Sequence, residues 1–185
     1  MPKLHFSPYL RKLSRCTSEN CPFGHLDTDF ISPRTEVVSR GFLVPMKGGS
    51  YVGMTIAHSD LAPVLEQLSS GMSNDLFANV RQNQMLRDNN KFHTTVFTPA
   101  EVRKLKSSGK SLDELLPKKQ FPVRILGLGT AFNEKSQAWF AVADSAPLNH
   151  FRYSLGLPKK DFHITVGFLD GGDVHDRSKG EETLY

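Results

Sequence analysis

The sequence predicts an α+β domain built from two lobes that are related by pseudo-two-fold symmetry. The main observation is a short motif that occurs twice, as Phe-His-Thr-Thr-Val at 92–96 and as Phe-His-Ile-Thr-Val at 162–166. The segments before each copy follow the same order, so each half has the pattern strand, strand, helix, strand. The composition, with 38% hydrophobic and 23% charged residues, is typical of a globular domain.

The first half shows this pattern in a clear form. Its strand, strand, helix and strand segments are, in order, 37–45, 50–57, 60–70 and 92–97. A Lys-Gly-Gly turn at 47–49 separates the first two strands like a hairpin. Asp60 is expected to cap the helix, and Gly71 lies where the helix should end. The polar segment 73–90 is compatible with a second helix followed by a loop.

The second half repeats the order after a linker. Its corresponding segments are 121–131, 137–143, 146–155 and 162–169. Ser145 is the expected N-cap of its helix. In the linker 98–120, two capping-box patterns, at 98–101 and 111–114, predict two short helices. We expect an N-terminal extension, 1–36, and one bilobal domain, 37–185, with lobes at 37–97 and 121–169 and a loop-like tail from 170.

Charge and composition exclude several classes of protein. The 185 residues carry a net charge of +4, and this mildly basic balance allows a phosphate-bearing partner without requiring one. No apolar run approaches the ~20 residues that cross a bilayer, and the N-terminus lacks the apolar core of a secretory signal. Two cysteines are too few for a disulfide scaffold. We expect an intracellular, cytoplasmic protein without membrane contact, with a monomer favoured and the oligomeric state left open.

The repeated motif places an imidazole and a hydroxyl on one face of each strand. Side chains alternate along a strand, so His93 shares a face with Thr95, and His163 shares a face with Thr165. If the two strands meet across the pseudo-dyad, the two pairs face each other. One such pair is weak evidence, because an ordinary half-buried strand contains it by chance, but two copies in matching frames favour a shared site.

Two facing imidazoles suit the hydrolysis of a phosphodiester. The reaction needs a base that activates water and an acid that protonates the leaving alkoxide, and imidazoles with a pKa of about 6.5 can divide these roles. The threonine hydroxyls can bind the non-bridging oxygens, whose negative charge grows in the transition state. This chemistry requires no metal or other cofactor. The sequence alone does not assign which histidine is the acid.

The motifs His93-Thr94-Thr95 and His163-Ile164-Thr165 resemble those of the two-histidine (2H) phosphoesterase superfamily. The resemblance extends over roughly 37–169 and implies a bilobal fold in which two antiparallel sheets form a central groove with flanking helices. Family members act on 2′,3′-cyclic phosphates, on 2′,5′-linked oligonucleotides or on other RNA ends. The context of 162–168, followed by Asp173-Val-His175 and Lys179-Gly180, is similar to the RNA-repair "Swiss Army Knife" branch.

Residues beyond the motifs are candidates for substrate binding. By the family resemblance, His175 and Lys179 are expected to touch phosphate. Aromatic side chains could stack on bases, and those considered for this role are Tyr51, Phe97 and Phe168. Phe97 is the best placed of the three, because alternation puts it on the His93 face. The pair Lys159-Lys160, just before the second motif, could guide an anionic substrate, although such pairs are usually a solvated surface.

Two other clusters have weaker interpretations. Carboxylates at 170, 173 and 176, beside His175, could ligate a metal, but a solvated loop is the simpler interpretation of these aspartates. Cys16, Cys21 and His25 have the spacing of the last part of a CCCH zinc finger. A structural zinc needs four ligands, and His5 would have to be the fourth. Two reduced thiols and a surface histidine are the more economical interpretation.

The sequence therefore predicts a metal-independent phosphodiesterase that binds RNA or a nucleotide, with a 2′,3′-cyclic phosphate as the first-choice substrate. One alternative keeps the same site but acts on cyclic or 2′,5′-linked oligonucleotides. Another alternative is a non-catalytic RNA-binding module in which the motifs hold a phosphate without turnover. The intact motif residues favour an enzyme.

Overall fold

The computed structural model describes residues 37–185, in which six antiparallel strands close into a barrel. The strands are β1 (Val37–Met46), β2 (Tyr51–Ile56), β3 (Phe92–Phe97), β4 (Gln120–Phe132), β5 (Gln137–Asp144) and β6 (Phe162–Phe168). Around the barrel their order is β1-β2-β3-β6-β5-β4. The helices are α1 (Ala62–Ser70), α2 (Asn74–Asp88), α3 (Pro99–Ser107) and α4 (Ala146–Ser154).

The two halves each contribute three strands, as the repeated pattern predicts. Each half is an antiparallel meander, β1-β2-β3 or β4-β5-β6, and the halves meet twice, through β3 with β6 and through β1 with β4. The second junction closes the sheet. The prediction of an α+β domain is therefore confirmed, whereas the two separate sheets expected from the resemblance are replaced by one closed barrel.

The helix boundaries follow their capping residues, with two differences from expectation. Ser145 caps α4 through Leu148 N–H, and Thr98 and Glu101 form a reciprocal capping box at the start of α3. The second capping-box sequence forms its side-chain contacts but supports only a 3₁₀ turn at Asp113–Leu115. Asp60 does not cap α1, because a 3₁₀ turn at His58–Leu61 precedes that helix.

Helix α2 breaks the symmetry of the two halves. It belongs to the first half but packs on β6 of the second half, where Gly167 leaves room for Val80: a Cβ at position 167 would lie 2.9 Å from Val80 Cγ2. Arg81 donates to the Val166 carbonyl, and Asn83 donates to the Phe168 carbonyl at 3.0 Å. These polar contacts bring the C-terminal end of α2 to the second motif strand.

The core lies between the barrel and its helices. Its largest fully buried side chains include Trp139, Phe121, Phe162, Leu61 and Leu148. Among residues 37–185, no helix is long and apolar enough to span a membrane. The proposed N-terminal extension, 1–36, lies outside the described residues.

Candidate active site

The four motif side chains line one cavity of about 590 Å³. His93 and Thr95 reach it from β3, and His163 and Thr165 reach it from β6. A cavity of this size holds a nucleotide-sized ligand rather than an ion alone. The structure therefore brings together the four residues that the sequence singled out.

The pairing of β3 with β6 explains why the motifs converge. Thr94 lies directly opposite Ile164 in antiparallel register, so the middle residues of the two motifs face each other. An antiparallel register centred on this pair sets His93 across from Thr165 and Thr95 across from His163. Because Thr94 and Ile164 are buried, the four flanking side chains share the opposite, concave face.

His163 is half-buried and lies in a cationic environment. Its ring packs edge-on against Phe140, with the ring centroids 5.8 Å apart. Burial, followed by the charges of Lys179 and Lys160, lowers the pKa of His163 to about 3. The imidazole is therefore neutral at physiological pH, which is the form that accepts a proton.

His93 has a more polar environment. The Tyr51 hydroxyl lies 3.3 Å from its Nε2, within hydrogen-bond distance. Gly53 faces the same region, where an added Cβ would lie 2.9 Å from the Thr94 carbonyl oxygen and 3.7 Å from Cδ2 of His93. Burial lowers the pKa of His93, and the carboxylate of Asp88 opposes that shift.

Asp173 forms the centre of a buried polar cluster on the second lobe. Its carboxylate accepts hydrogen bonds from Lys179 Nζ at 2.8 Å, from Thr165 Oγ1 at 3.1 Å and from Arg87. The side chain is only 4% exposed. Burial alone would raise the pKa of Asp173, but Lys179 and Arg87 lower it to about 2. The interpretation of this aspartate as part of a solvated loop is therefore wrong.

Arg87 is a site residue that the sequence analysis missed. It comes from the last turn of α2, binds both oxygens of Asp88 at 2.6 and 2.8 Å, and also pairs with Asp173. Its guanidinium carbon lies 4.8 Å from the centroid of the Phe168 ring. These contacts hold an arginine at the cavity wall, and the side chain has a geometry suited to phosphate.

The two motif threonines differ in their hydrogen bonding. Ionised Asp173 can only accept, so the Thr165 hydroxyl donates its proton to that carboxylate. No side chain among residues 37–185 accepts a hydrogen bond from Thr95, which also lines the cavity. Thr95 is therefore the hydroxyl that is free to donate to a bound anion.

The aromatic candidates are corrected by the structure. Phe97 is fully buried, with its ring centroid 5.8 Å from that of Phe151, because the final residues of β3 lie beneath α3 and α4. Phe168 is 7% exposed and supports Arg87 instead of facing the cavity. Neither ring is placed to stack on a base.

The other candidates do line the cavity. Tyr51, His175 and Lys179 all form part of its wall. Lys179 is nearly buried, and its ammonium group is held by Asp173 rather than exposed to solvent. Of the pair at 159–160, only Lys160 lines the cavity.

The metal interpretation of the aspartate segment receives no support, and the zinc interpretation is not tested. Within residues 37–185, no group of three or more His, Cys, Asp or Glu side chains is arranged to hold a metal ion. Asp176 is exposed and accepts a hydrogen bond from Asn133 at 2.9 Å, away from Asp173. The zinc candidates Cys16, Cys21 and His25 lie outside the described residues.

Comparison with known protein families agrees with this geometry. The family model described as "Swiss Army Knife, 2H phosphoesterase domain" matches residues 50–175, which include both motifs, Arg87 and Asp173. No curated protein sequence and no solved structure matches the chain.

Proposed function

Because this chain belongs to the Swiss Army Knife family of 2H phosphoesterases, we propose that it hydrolyses 2′,3′-cyclic phosphates on nucleotides or at RNA ends. Membership of the family supports phosphoesterase activity in general. The observation that supports this substrate is that the imidazole and the threonine hydroxyl of both motifs line the same cavity, an arrangement in which one imidazole can act as acid and the other as base at a phosphorus atom between them.

The environments of the two histidines favour different roles. His163 is half-buried near the charges of Lys179 and Lys160, which favours the neutral form that a general base needs. His93 faces the carboxylate of Asp88 and the hydroxyl of Tyr51, and both can stabilise an imidazolium. We therefore assign His163 as the base and His93 as the acid.

The proposed reaction is a single in-line displacement. A water oxygen attacks phosphorus while His163 takes its proton, and one ring P–O bond breaks. His93 gives its proton to the leaving ribose oxygen, so the product is a phosphomonoester with a free neighbouring hydroxyl. A proton then passes from His163 to His93 through solvent, which restores the starting state.

Charge on the phosphate is stabilised by donors around the motifs. Thr95 offers its hydroxyl, while Arg87 and Lys179 line the cavity with their positions fixed by Asp173. Donors held in place before the substrate binds stabilise developing charge without reorganising.

The test is hydrolysis of a panel of 2′,3′-cyclic nucleotides, 3′,5′-cyclic nucleotides and 2′,5′-linked oligonucleotides, with the products identified by chromatography. We expect turnover of the 2′,3′-cyclic substrates and a loss of about 10²–10⁴-fold in both His93→Ala and His163→Ala. His150→Ala, which changes an exposed histidine on α4, is the matched control and should behave as the wild type.

Three outcomes would contradict the proposal. Full activity in the His93→Ala/His163→Ala double variant would exclude the acid–base mechanism. Turnover confined to cyclic or 2′,5′-linked oligonucleotides would replace the substrate while keeping the site. Binding of RNA without any cleavage would indicate a binding module.

A further inference from the structure

The cavity contains more positive charge than its own carboxylates neutralise. The five basic side chains in its wall are Lys47, Arg87, Lys160, Arg177 and Lys179. Among residues 37–185, three carboxylates share that wall, those of Asp88, Asp161 and Asp173. Arg87 and Lys179 are held in ion pairs with Asp88 and Asp173. Within residues 37–185, the other three cations make no ion pair.

The backbone of Lys160, one of these unpaired cations, is held by two hydrogen bonds. Its backbone N–H donates to Asn149 Oδ1 at 2.9 Å, and its carbonyl accepts from Asn149 Nδ2 at 3.2 Å. This pair of hydrogen bonds fixes the loop between α4 and β6 to helix α4. A fixed backbone reduces the entropy that is lost when a side chain binds a ligand.

The Lys160 side chain is also half-buried at the cavity wall. Burial lowers its pKa, and the charges of Glu101 and Asp161 oppose that shift. The Glu101 carboxylate is already paired with Arg152 at 2.7 Å. A partly desolvated ammonium without an ion pair is costly unless an anion binds it, so this position is suited to an anionic group of a ligand.

The position of Lys160 relative to the motif limits where that anion lies. It precedes His163 by three residues, so the two Cα atoms are at most roughly 10 Å apart along an extended chain. One phosphate binds between the two motif histidines. A second phosphate on the same nucleotide lies close enough to the first to be within the reach of Lys160. Thr95, Arg87 and Lys179 are the donors assigned above to the scissile phosphate, which leaves Lys160 in the same cavity wall available to another anionic group.

We infer that the substrate carries a second phosphate, on the 5′ side of the cyclic nucleotide, and that Lys160 binds it. This inference rests on the proposed function and narrows it, because simple nucleoside 2′,3′-cyclic phosphates become poor substrates. The second phosphate can be a terminal 5′-monophosphate or the preceding phosphodiester of an RNA end. Both present the same anionic oxygens to the ammonium group.

The experiment compares three substrates at fixed ionic strength. They are adenosine 2′,3′-cyclic phosphate, the same nucleotide with a 5′-phosphate, and a dinucleotide that ends in a 2′,3′-cyclic phosphate. For the wild type we expect kcat/KM to be about tenfold higher or more when the second phosphate is present, as for one charged hydrogen bond. A preference for the 5′-phosphorylated nucleotide would identify the second phosphate as a terminal monophosphate, and a preference for the dinucleotide would identify it as the preceding phosphodiester.

The variants test whether Lys160 causes this preference. In Lys160→Gln the ratio of kcat/KM with and without the second phosphate should fall to about threefold or less. The ratio compares substrates within the same variant, so any change in the pKa of His163 caused by the lost charge cancels. Lys159→Gln is the matched control, because Lys159 is exposed and lies outside the cavity wall, and it should keep the wild-type ratio.

A wild-type ratio near one, or an unchanged ratio in Lys160→Gln, would overturn the inference. If no cyclic phosphate is hydrolysed at all, the proposed function fails, and the inference is then decided by binding. In that case the dissociation constants of the same three nucleotides, measured by calorimetry, replace kcat/KM. The same Lys160-dependent ratio is expected, and equal affinities would reject the second-phosphate site.

Discussion

Thr94 lies directly opposite Ile164, at the point where the two motif strands pair. These residues occupy the middle position of each His-x-Thr motif, so the pseudo-two-fold axis passes between them. Both side chains are fully buried. They differ in one respect: the Thr94 hydroxyl is buried and has no hydrogen-bond partner in the described part of the chain.

This orphaned hydroxyl leads to a prediction about stability. Thr94→Val removes a buried polar group that has no partner and gives the position the apolar character of Ile164. We expect the free energy of unfolding to rise by about 1–2 kcal/mol, as measured by chemical denaturation. The control is Thr94→Ser, which keeps the hydroxyl and loses a methyl group, and should be less stable than the wild type. A decrease in stability for Thr94→Val would show that the hydroxyl has a partner.

The strand face that each motif side chain occupies was predictable, because it depends on local patterns. The alternation of His93 and Thr95, repeated at His163 and Thr165, assigns each pair to one strand face without knowledge of the tertiary structure. Because the order of strands and helices is the same in both halves, the two motif strands are expected at equivalent positions in the fold. The capping residues Thr98 and Ser145 were found in the same way, since a cap is recognised within four residues of sequence.

Arg87 and Asp173 were not predictable from such patterns. Of the three buried side chains of helix α2, only Val80 is apolar, and the other two, Arg81 and Gln84, are polar. The helix therefore lacks the apolar stripe that indicates a packed face. Asp173 lies in an irregular segment, where no periodicity indicates burial. The aromatic prediction failed at Phe97 for a related reason: strand alternation does not show where helices cover the sheet end.

The threonines of the two motifs should differ in their effect on catalysis. Thr165 already donates to Asp173, whereas Thr95 is available to a phosphate oxygen. We expect Thr95→Val to lower kcat by about 10²-fold, as for a lost oxyanion donor. We expect Thr165→Val to have a smaller effect on kcat, measured on the same cyclic nucleotide. Equal losses of kcat in the two variants would show that Thr165 leaves Asp173 when substrate binds.

Asp173 should be important for stability as well as for activity. Asp173→Asn keeps the shape of the side chain but leaves Lys179 without its carboxylate partner and leaves Arg87 paired with Asp88 alone. Breaking a buried ion pair costs about 3–5 kcal/mol, and we expect a loss near the lower limit, because the amide oxygen can still accept. Asp176→Asn, at an exposed carboxylate of the same segment, is the control and should change the free energy of unfolding by less than about 0.5 kcal/mol.

The pH dependence of kcat/KM should reflect the assigned roles. The base His163 must be neutral, which holds above its pKa of about 3. The acid His93 must be protonated, and burial places its pKa below the ordinary value. We therefore expect kcat/KM to fall as the pH rises, with the decline beginning below the ordinary imidazole value of about 6.5.

The pH at which kcat/KM declines can be shifted by changing Lys47, because the charge of Lys47 helps to lower the pKa of His93. In Lys47→Gln the pKa of His93 should rise, and the decline in kcat/KM should shift to higher pH. Rates are measured only where circular dichroism shows a folded protein. A profile that is flat from pH 5 to 8, or one that rises with pH across this range, would contradict the assignment of His93 as the acid.

His163 also makes the stability of the fold depend on pH. Its pKa in the folded protein, about 3, lies below the value of about 6.5 in an unfolded chain. Between these values the unfolded state binds more protons, so the free energy of unfolding decreases as the pH falls from 6.5 toward 3. The contribution of His163 is fully present above pH 6.5.

The test is chemical denaturation at pH 7.5 and 4.5 of the wild type and of His163→Gln, which cannot titrate. The wild type should lose about 2.5–3 kcal/mol more than the variant between these pH values, since the contribution is lost over the two pH units from 6.5 to 4.5 and each unit corresponds to about 1.4 kcal/mol. His150→Gln removes an exposed imidazole from α4 and should follow the wild type. If His163→Gln loses as much stability as the wild type, the His163 imidazole is not held neutral by its surroundings, and its assignment as the base would have to be abandoned.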